Sequence, residues 1–316
     1  MLPSVLLSLG LLVGSSQPVP AQAMPANGHA ILLTPQFRRY GTANGLPSSS
    51  VYVAVQDHHG AMWFGTKGGI ARFDGLAFTV YRHAADDPNS LGNNGISTLF
   101  VDKQGRLWAG GLEAGLNRYD SEHNRFEHWG HSASDSTSLA SDKVWAIAQT
   151  GDGTIWVGTA RGLERIRADG AGFDHVVNPA LGSKPEAFGM IAALYVDPRG
   201  RLWIGSNLGV FRRDVDGSFH AIRRAGSDQV IDAWRIEGDG DEVRVSSVRG
   251  LFTIDANDVA HPYAQDKVGD VNVMSTVRDH SGRLWIGTQR GLFLQDGGSD
   301  QPITTIVDQP LLPGNL

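Results

Sequence analysis

Short apolar runs recur along the chain, each followed by a polar turn and a second apolar run that carries a tryptophan. The first runs lie at 51–56 (VYVAVQ), 96–101 (ISTLFV), 144–149 (VWAIAQ), 191–196 (IAALYV) and 273–278 (VMSTVR). Their β-branched and aromatic content predicts strands. The turn that follows reads Asp-x-x-Gly, with glycine supplying the positive φ of a tight hairpin. The whole unit, Asp-x-x-Gly-x-Leu-Trp-Ile-Gly-Thr-x-x-Gly-Leu, occurs at 57–70, 102–116, 150–163, 197–210 and 279–292. A worn copy at 238–251 carries Arg244 in the tryptophan slot. Third strands are predicted at 69–73, 116–119, 251–254 and 292–294, and fourth strands at 78–81, 126–129, 173–177 and 219–222.

The copies return roughly every 41–48 residues, a period shared by propeller blades and helical repeats. Glycine at four fixed points per copy excludes helices. Four short strands with tight connections use ~40 residues, so the expected fold is all-β, a propeller of four-stranded antiparallel blades. Six complete blades are expected. Residues 37–40 resemble a fourth strand with no blade of their own, yet 302–307 already gives the sixth blade its fourth strand. The final residues, 312–316, echo the lead-in at 46–50. These features predict a seven-bladed ring truncated within blade seven. The repeated tryptophans Trp63, Trp108, Trp156, Trp203 and Trp285 are expected to fill the space between blades. Gly65, Gly110, Gly158, Gly205 and Gly287 are expected to admit a neighbouring backbone, and the aspartate to cap its own turn.

These repeats resemble the two-component regulator propeller family. The likeness rests on the motif at 279–292 and 197–210, the lead-in YGTANGLP at 40–47 and the linker DPNSL at 87–91. It covers the chain from about residue 37 onward. The resemblance implies a periplasmic, ligand-binding sensor module of a two-component signal transduction protein. Family output domains are histidine kinases, hybrid kinase-regulators or diguanylate cyclases, reached through a β-sandwich and a transmembrane helix. The sequence has no sandwich, span or output motif. The implied partners are a small-molecule or oligosaccharide ligand, the downstream sandwich and membrane-anchored output domain, and a second copy in a homodimer.

Composition narrows the alternatives. Glycine accounts for 40 of the 316 residues and hydrophobic residues for 41%, against disorder as the main state. The net charge of -6 argues against a nucleic-acid partner. The absence of cysteine excludes disulfide scaffolds, thiolate metal sites and cysteine nucleophiles. The apolar stretch 2–13, followed by Ala21-Gln22-Ala23, reads as a secretory signal peptide, although its n-region lacks lysine and arginine. The expected organisation is a signal peptide over 1–23, a short linker over 24–36 and the propeller over 37–316, exported to the periplasm.

No nucleophile elbow or phosphate loop is present, and the acids fall mainly in turns. Histidines are scattered; the pairing His58-His59 sits in a hairpin tip, and solvated loops account for His123, His128 and His131. The reading is therefore a non-enzymatic module with no catalytic residues, no cofactor and no metal. A secreted propeller enzyme acting on polysaccharide and a protein-interaction scaffold stay open as alternatives. Repeated positions carry packing, so departures from the repeat locate binding. Trp145 aligns with Tyr52, Ser97, Ala192, Ala233 and Met274. Trp234 aligns with Val53, Thr98, Ala146, Ala193 and Ser275. Arg235 then matches Ala54, Leu99, Ile147, Leu194 and Thr276, and Asp232 matches Val51 and its counterparts. The candidate ligand site is Tyr52, Trp145, Trp234, Arg235 and Asp232, the rings for stacking on a flat ligand face and the charges for hydrogen bonds. The alternative reading is that Trp145 and Trp234 are ordinary packing variants.

Overall fold

Each Asp-x-x-Gly turn folds an apolar run back onto its tryptophan strand, and two further strands complete a sheet. The computed structural model describes residues 39–297 and 303–307. In blade one the strands are Val51–Gln56, Met62–Thr66, Gly69–Phe73 and Phe78–Tyr81, hydrogen-bonded in that order. Five more sheets repeat the pattern, with inner strands Ile96–Val101, Val144–Gln149, Ile191–Val196, Ala233–Asp239 and Val273–Arg278. Together they form the blades of a propeller. Helix among the described residues is limited to Gln265–Val268 and the short 3-10 turns Thr42–Asn44 and Pro185–Phe188.

The outer strands of blades three and four are shorter than the sequence implies, ending at His175 and Ala221. The chain leaving blade four instead adds Arg223–Arg224 in parallel to the outer strand of blade five, Val259–Tyr263. Of the segment 37–40, residues 37 and 38 lie outside the described residues. Tyr40 itself is not in a strand, and its ring packs on Phe73 and Phe78 of blade one, centroids 5.3 and 5.9 Å away.

Five hydrophobic clusters join successive blades. In four of them the repeat tryptophan of one blade packs on the inner and second strands of the next. Trp156, for example, meets Ile191, Leu202 and Ile204, and Trp203 meets Ala233, Val243 and Val245. The blade-five slot holds Arg244, and the cluster toward blade six lacks a tryptophan, with Leu251, Tyr263 and Val268 joining Val273, Leu284 and Ile286. The glycine opposite each inner strand permits this closeness. A Cβ on Gly158 would lie 2.5 Å from Ile191 Cγ2, and one on Gly65 would lie 2.9 Å from the carbonyl oxygen of Ile96. Gly287 differs: the nearest atom to such a Cβ is the Ser275 carbonyl at 3.6 Å, within its own blade.

Two sheet faces are left uncovered in the described residues. Trp285 is half-buried where Trp63, Trp108, Trp156 and Trp203 are at most 3% exposed, and the neighbouring Val277 is 59% exposed. On blade one, Val51 is 40% exposed, whereas Ile96, Val144, Ile191, Ala233 and Val273 are fully buried at the same position. Blades one to six thus make five interfaces, and the faces at the two ends match the two halves of the interface repeated between them.

Candidate functional site

The inner strands carry a feature that hydrophobic alternation cannot reveal. In every blade the ladder between inner and second strands slips one residue in from the start. The slip falls between Val51 and Val53, Ile96 and Thr98, Ile191 and Ala193, Ala233 and Arg235, and Val273 and Ser275. In blade three Val144 pairs with Thr159 and Ala146 with Gly158, so Trp145 is the extra residue. A bulge of this kind re-aims the unpaired side chain and is common at barrel rims and binding sites. The six bulged residues are Tyr52, Ser97, Trp145, Ala192, Trp234 and Met274.

This register corrects the alignment of blade five. Trp234 is equivalent to Trp145 and Tyr52, not to Val53. Arg235 occupies the slot of Val53, Thr98, Ala146, Ala193 and Ser275, opposite Ser246 where the other blades have glycine. Asp232 falls before the inner strand, level with Lys143, Met190 and Asn272. The one-residue error arose because Ile231, Ala233 and Ile236, all buried, offer two apolar frames when the bulge is unseen.

The structure therefore brings Tyr52, Trp145 and Trp234 to one level at the same end of the inner strands, on alternate blades. Tyr52, Trp234 and the bulged Met274 are exposed. Trp145 is half-buried, and its indole N–H is buried without a hydrogen-bond partner. Arg235 is half-buried, with Nε 4.0 Å from Glu237. Asp232 is half-buried at the lead-in to blade five. Sequence reading missed Met274 and Ser97 as members of this ring; the missing signal is the bulge itself.

At the opposite end, each turn aspartate does more than cap. Asp197 Oδ1 accepts from the backbone N–H groups of Arg199 and Arg201 at 3.0 and 2.9 Å, and Oδ2 accepts from the Trp203 indole at 2.9 Å. Burial pushes this carboxyl up, and the Trp203 and Arg201 hydrogen bonds more than offset that, holding it below the usual range. The same indole tie joins Asp57 to Trp63, Asp102 to Trp108 and Asp279 to Trp285, and Thr150 replaces the acid beneath Trp156. These positions are structural. Among the described residues no cluster of three histidines or acids could hold a metal ion, and no helix is long and apolar enough to cross a membrane.

The comparisons agree with the repeat reading. The profile of the two component regulator propeller family matches residues 45–68, 90–113, 138–161, 186–208 and 267–290 of this chain, passing over blade five. A 55-residue stretch is 38% identical to histidine kinase P4 of Formosa agariphila, covering 17% of this chain and 4% of that protein. The fold matches the extracellular domain of the putative hybrid two component system BT3049 from B. thetaiotaomicron, with a TM-score of 0.72 and 23% identity over 86% of this chain and 37% of that one. It also matches that of BT4673 from the same organism, with a TM-score of 0.64 and 18% identity over 81% and 36% of the two chains. Streptogramin B lyase shares the architecture too, with a TM-score of 0.62 and 14% identity over 85% of this chain and 86% of that one. The chain thus spans little more than a third of the two-component domains it resembles.

Proposed function

We propose that this chain is the ligand-binding propeller of an exported two-component sensor, and that it binds through the bulge ring rather than catalysing a reaction. The observation that carries the proposal is the convergence of Tyr52, Trp145 and Trp234 on equivalent bulges of alternate blades. Exposed aromatic faces at one end of a rigid scaffold suit stacking on a flat, partly apolar ligand such as a sugar ring. Arg235, one residue beyond Trp234, adds a charged hydrogen-bond donor at the rim.

The same reading assigns residues 1–23 to an export signal, 24–36 to a linker and the periplasm as the destination. One further blade seats between the uncovered faces of blades six and one and closes a seven-bladed ring. A propeller is a stiff body, and a ligand shifts an equilibrium only through differential affinity for two states. The movable relation therefore lies between propellers, or between a propeller and a membrane-anchored kinase or cyclase half, in a dimer. Equilibrium binding of an oligosaccharide panel, with recovery of the sugars afterwards, tests the proposal. Saturable binding with intact sugars supports it; release of shortened sugars overturns it in favour of a polysaccharide-active enzyme.

A further inference from the structure

Blade five departs from the repeat at the tryptophan slot, which Arg244 fills. With Arg235 level with Val53, Asp239 is level with the turn aspartate Asp57, in a hairpin one residue shorter, and it pairs with Arg278 rather than with an indole. A cleft of about 400 Å³ opens there, where the ends of the inner strands of blades four, five and six converge, lined by Tyr195, Glu237, Asp239, Arg244, Thr276 and Arg278 among others.

Arg244 is the unusual group. Its side chain is 2% exposed. Nε donates to Thr276 Oγ1 at 3.2 Å, and that hydroxyl donates in turn to Glu237 at 2.7 Å. Nη1 lies 3.4 Å from Glu242 but is buried without a hydrogen bond. A buried guanidinium with a vacant donor is costly, so a worn packing position is an unsatisfactory account of it. Arg278 beside it is saturated, donating to the Gly282 carbonyl and Glu242 and pairing with Asp239 at 2.8 Å. Across the cleft, Tyr195 abuts Gly238 so closely that a Cβ there would lie 2.5 Å from its hydroxyl. That hydroxyl makes no hydrogen bond among the described residues.

Two unused donors, Arg244 Nη1 and the Tyr195 hydroxyl, therefore share a cleft with the carboxylates of Glu237 and Asp239. Asp279, also on the wall, is already paired with Arg283 at 2.8 Å. The donors call for a carboxylate, and Glu237 and Asp239 on the same walls disfavour a bare anion and favour one that carries its own cation. We infer that the blade-five cleft is a second ligand site, separate from the bulge ring, which takes a small zwitterion of the amino-acid type. The ligand carboxylate accepts from Arg244 and Tyr195, and its ammonium faces Glu237 and Asp239.

The test is thermal unfolding of the full chain titrated with L-alanine, acetate or ethylammonium. L-alanine is expected to raise Tm saturably, as binding to the folded state requires. Acetate and ethylammonium, each lacking one charge, are expected to need about tenfold or more higher concentrations. Arg244→Trp restores the repeat residue, so it is expected to fold and to lose the response. Tyr195→Phe is expected to weaken it, and Trp234→Ala to leave it unchanged, which separates this site from the bulge ring. The proposal is overturned by the absence of a saturable shift, meaning that water alone satisfies Arg244. It is equally overturned by acetate matching L-alanine, or by a response that persists in Arg244→Trp.

Discussion

The indole N–H of Trp203 donates to Asp197 across a turn of six residues, at 2.9 Å, with both side chains buried. One residue pair thereby ties the hairpin of blade four to the core it shares with blade five. Trp203→Ala should destabilise by ~3–5 kcal/mol, as large-to-small core changes do. Asp197→Ala strands a buried donor and should cost about 1–3 kcal/mol. Trp285 makes the same hydrogen bond on a half-covered face, so Trp285→Ala should cost clearly less than Trp203→Ala in chemical denaturation. Equal losses would mean that the face of blade six is covered.

Glycine substitutions probe the same asymmetry without removing a ring. Gly158→Ala drives a methyl into Ile191 and should cost ~1–3 kcal/mol through overpacking. Gly287→Ala meets nothing closer than 3.6 Å and should fall within about 0.5 kcal/mol of the parent. Melting curves of the two variants check the difference.

Stability should depend on pH through Glu164. This side chain is 1% exposed and accepts from the Ala140 N–H at 3.1 Å. Burial pushes its carboxyl up to about 7. His175 Nε2 is bonded to the Ser136 carbonyl at 3.1 Å, and Nδ1, otherwise unpartnered, lies 3.6 Å from the acid. The folded chain keeps a proton that the unfolded chain has lost between about pH 4.5 and 7, so stability falls as pH rises through that window, by up to ~3 kcal/mol. Glu164→Gln should flatten this slope and melt above the parent at about pH 8. A variant that keeps the parental slope would place the titration elsewhere.

Much of this architecture is legible in the sequence, because turn chemistry and packing are repeated. The five inner strands read from apolar runs match the observed bounds, from Val51–Gln56 to Val273–Arg278. The glycine of each Asp-x-x-Gly turn adopts positive φ, from Gly60 to Gly282. The turn aspartate was legible as a cap, whereas its bond to the indole was not, since six residues of sequence separation do not reveal which way the ring turns. The bulge was hidden because it breaks the two-residue alternation on which strand reading depends. That is why Trp234 and Arg235 were read one position out of register and Asp232 was drawn into the strand. Arg244 was visible as an oddity in a tryptophan slot; its vacant donor and the cleft around it are tertiary features.

The central claim is that ligand recognition belongs to the bulge ring and packing to the repeat tryptophans. The most direct measurement is titration of the full chain, and of its Trp145→Ala and Trp234→Ala variants, with whichever oligosaccharide of the panel binds, alongside melting of each protein. The account expects each variant to lose about tenfold or more in affinity, in keeping with ~1.4 kcal/mol or more from a lost stacking face, while melting close to the parent. Unchanged affinity in both variants, or a collapse in melting temperature as large as that of Trp203→Ala, would contradict it.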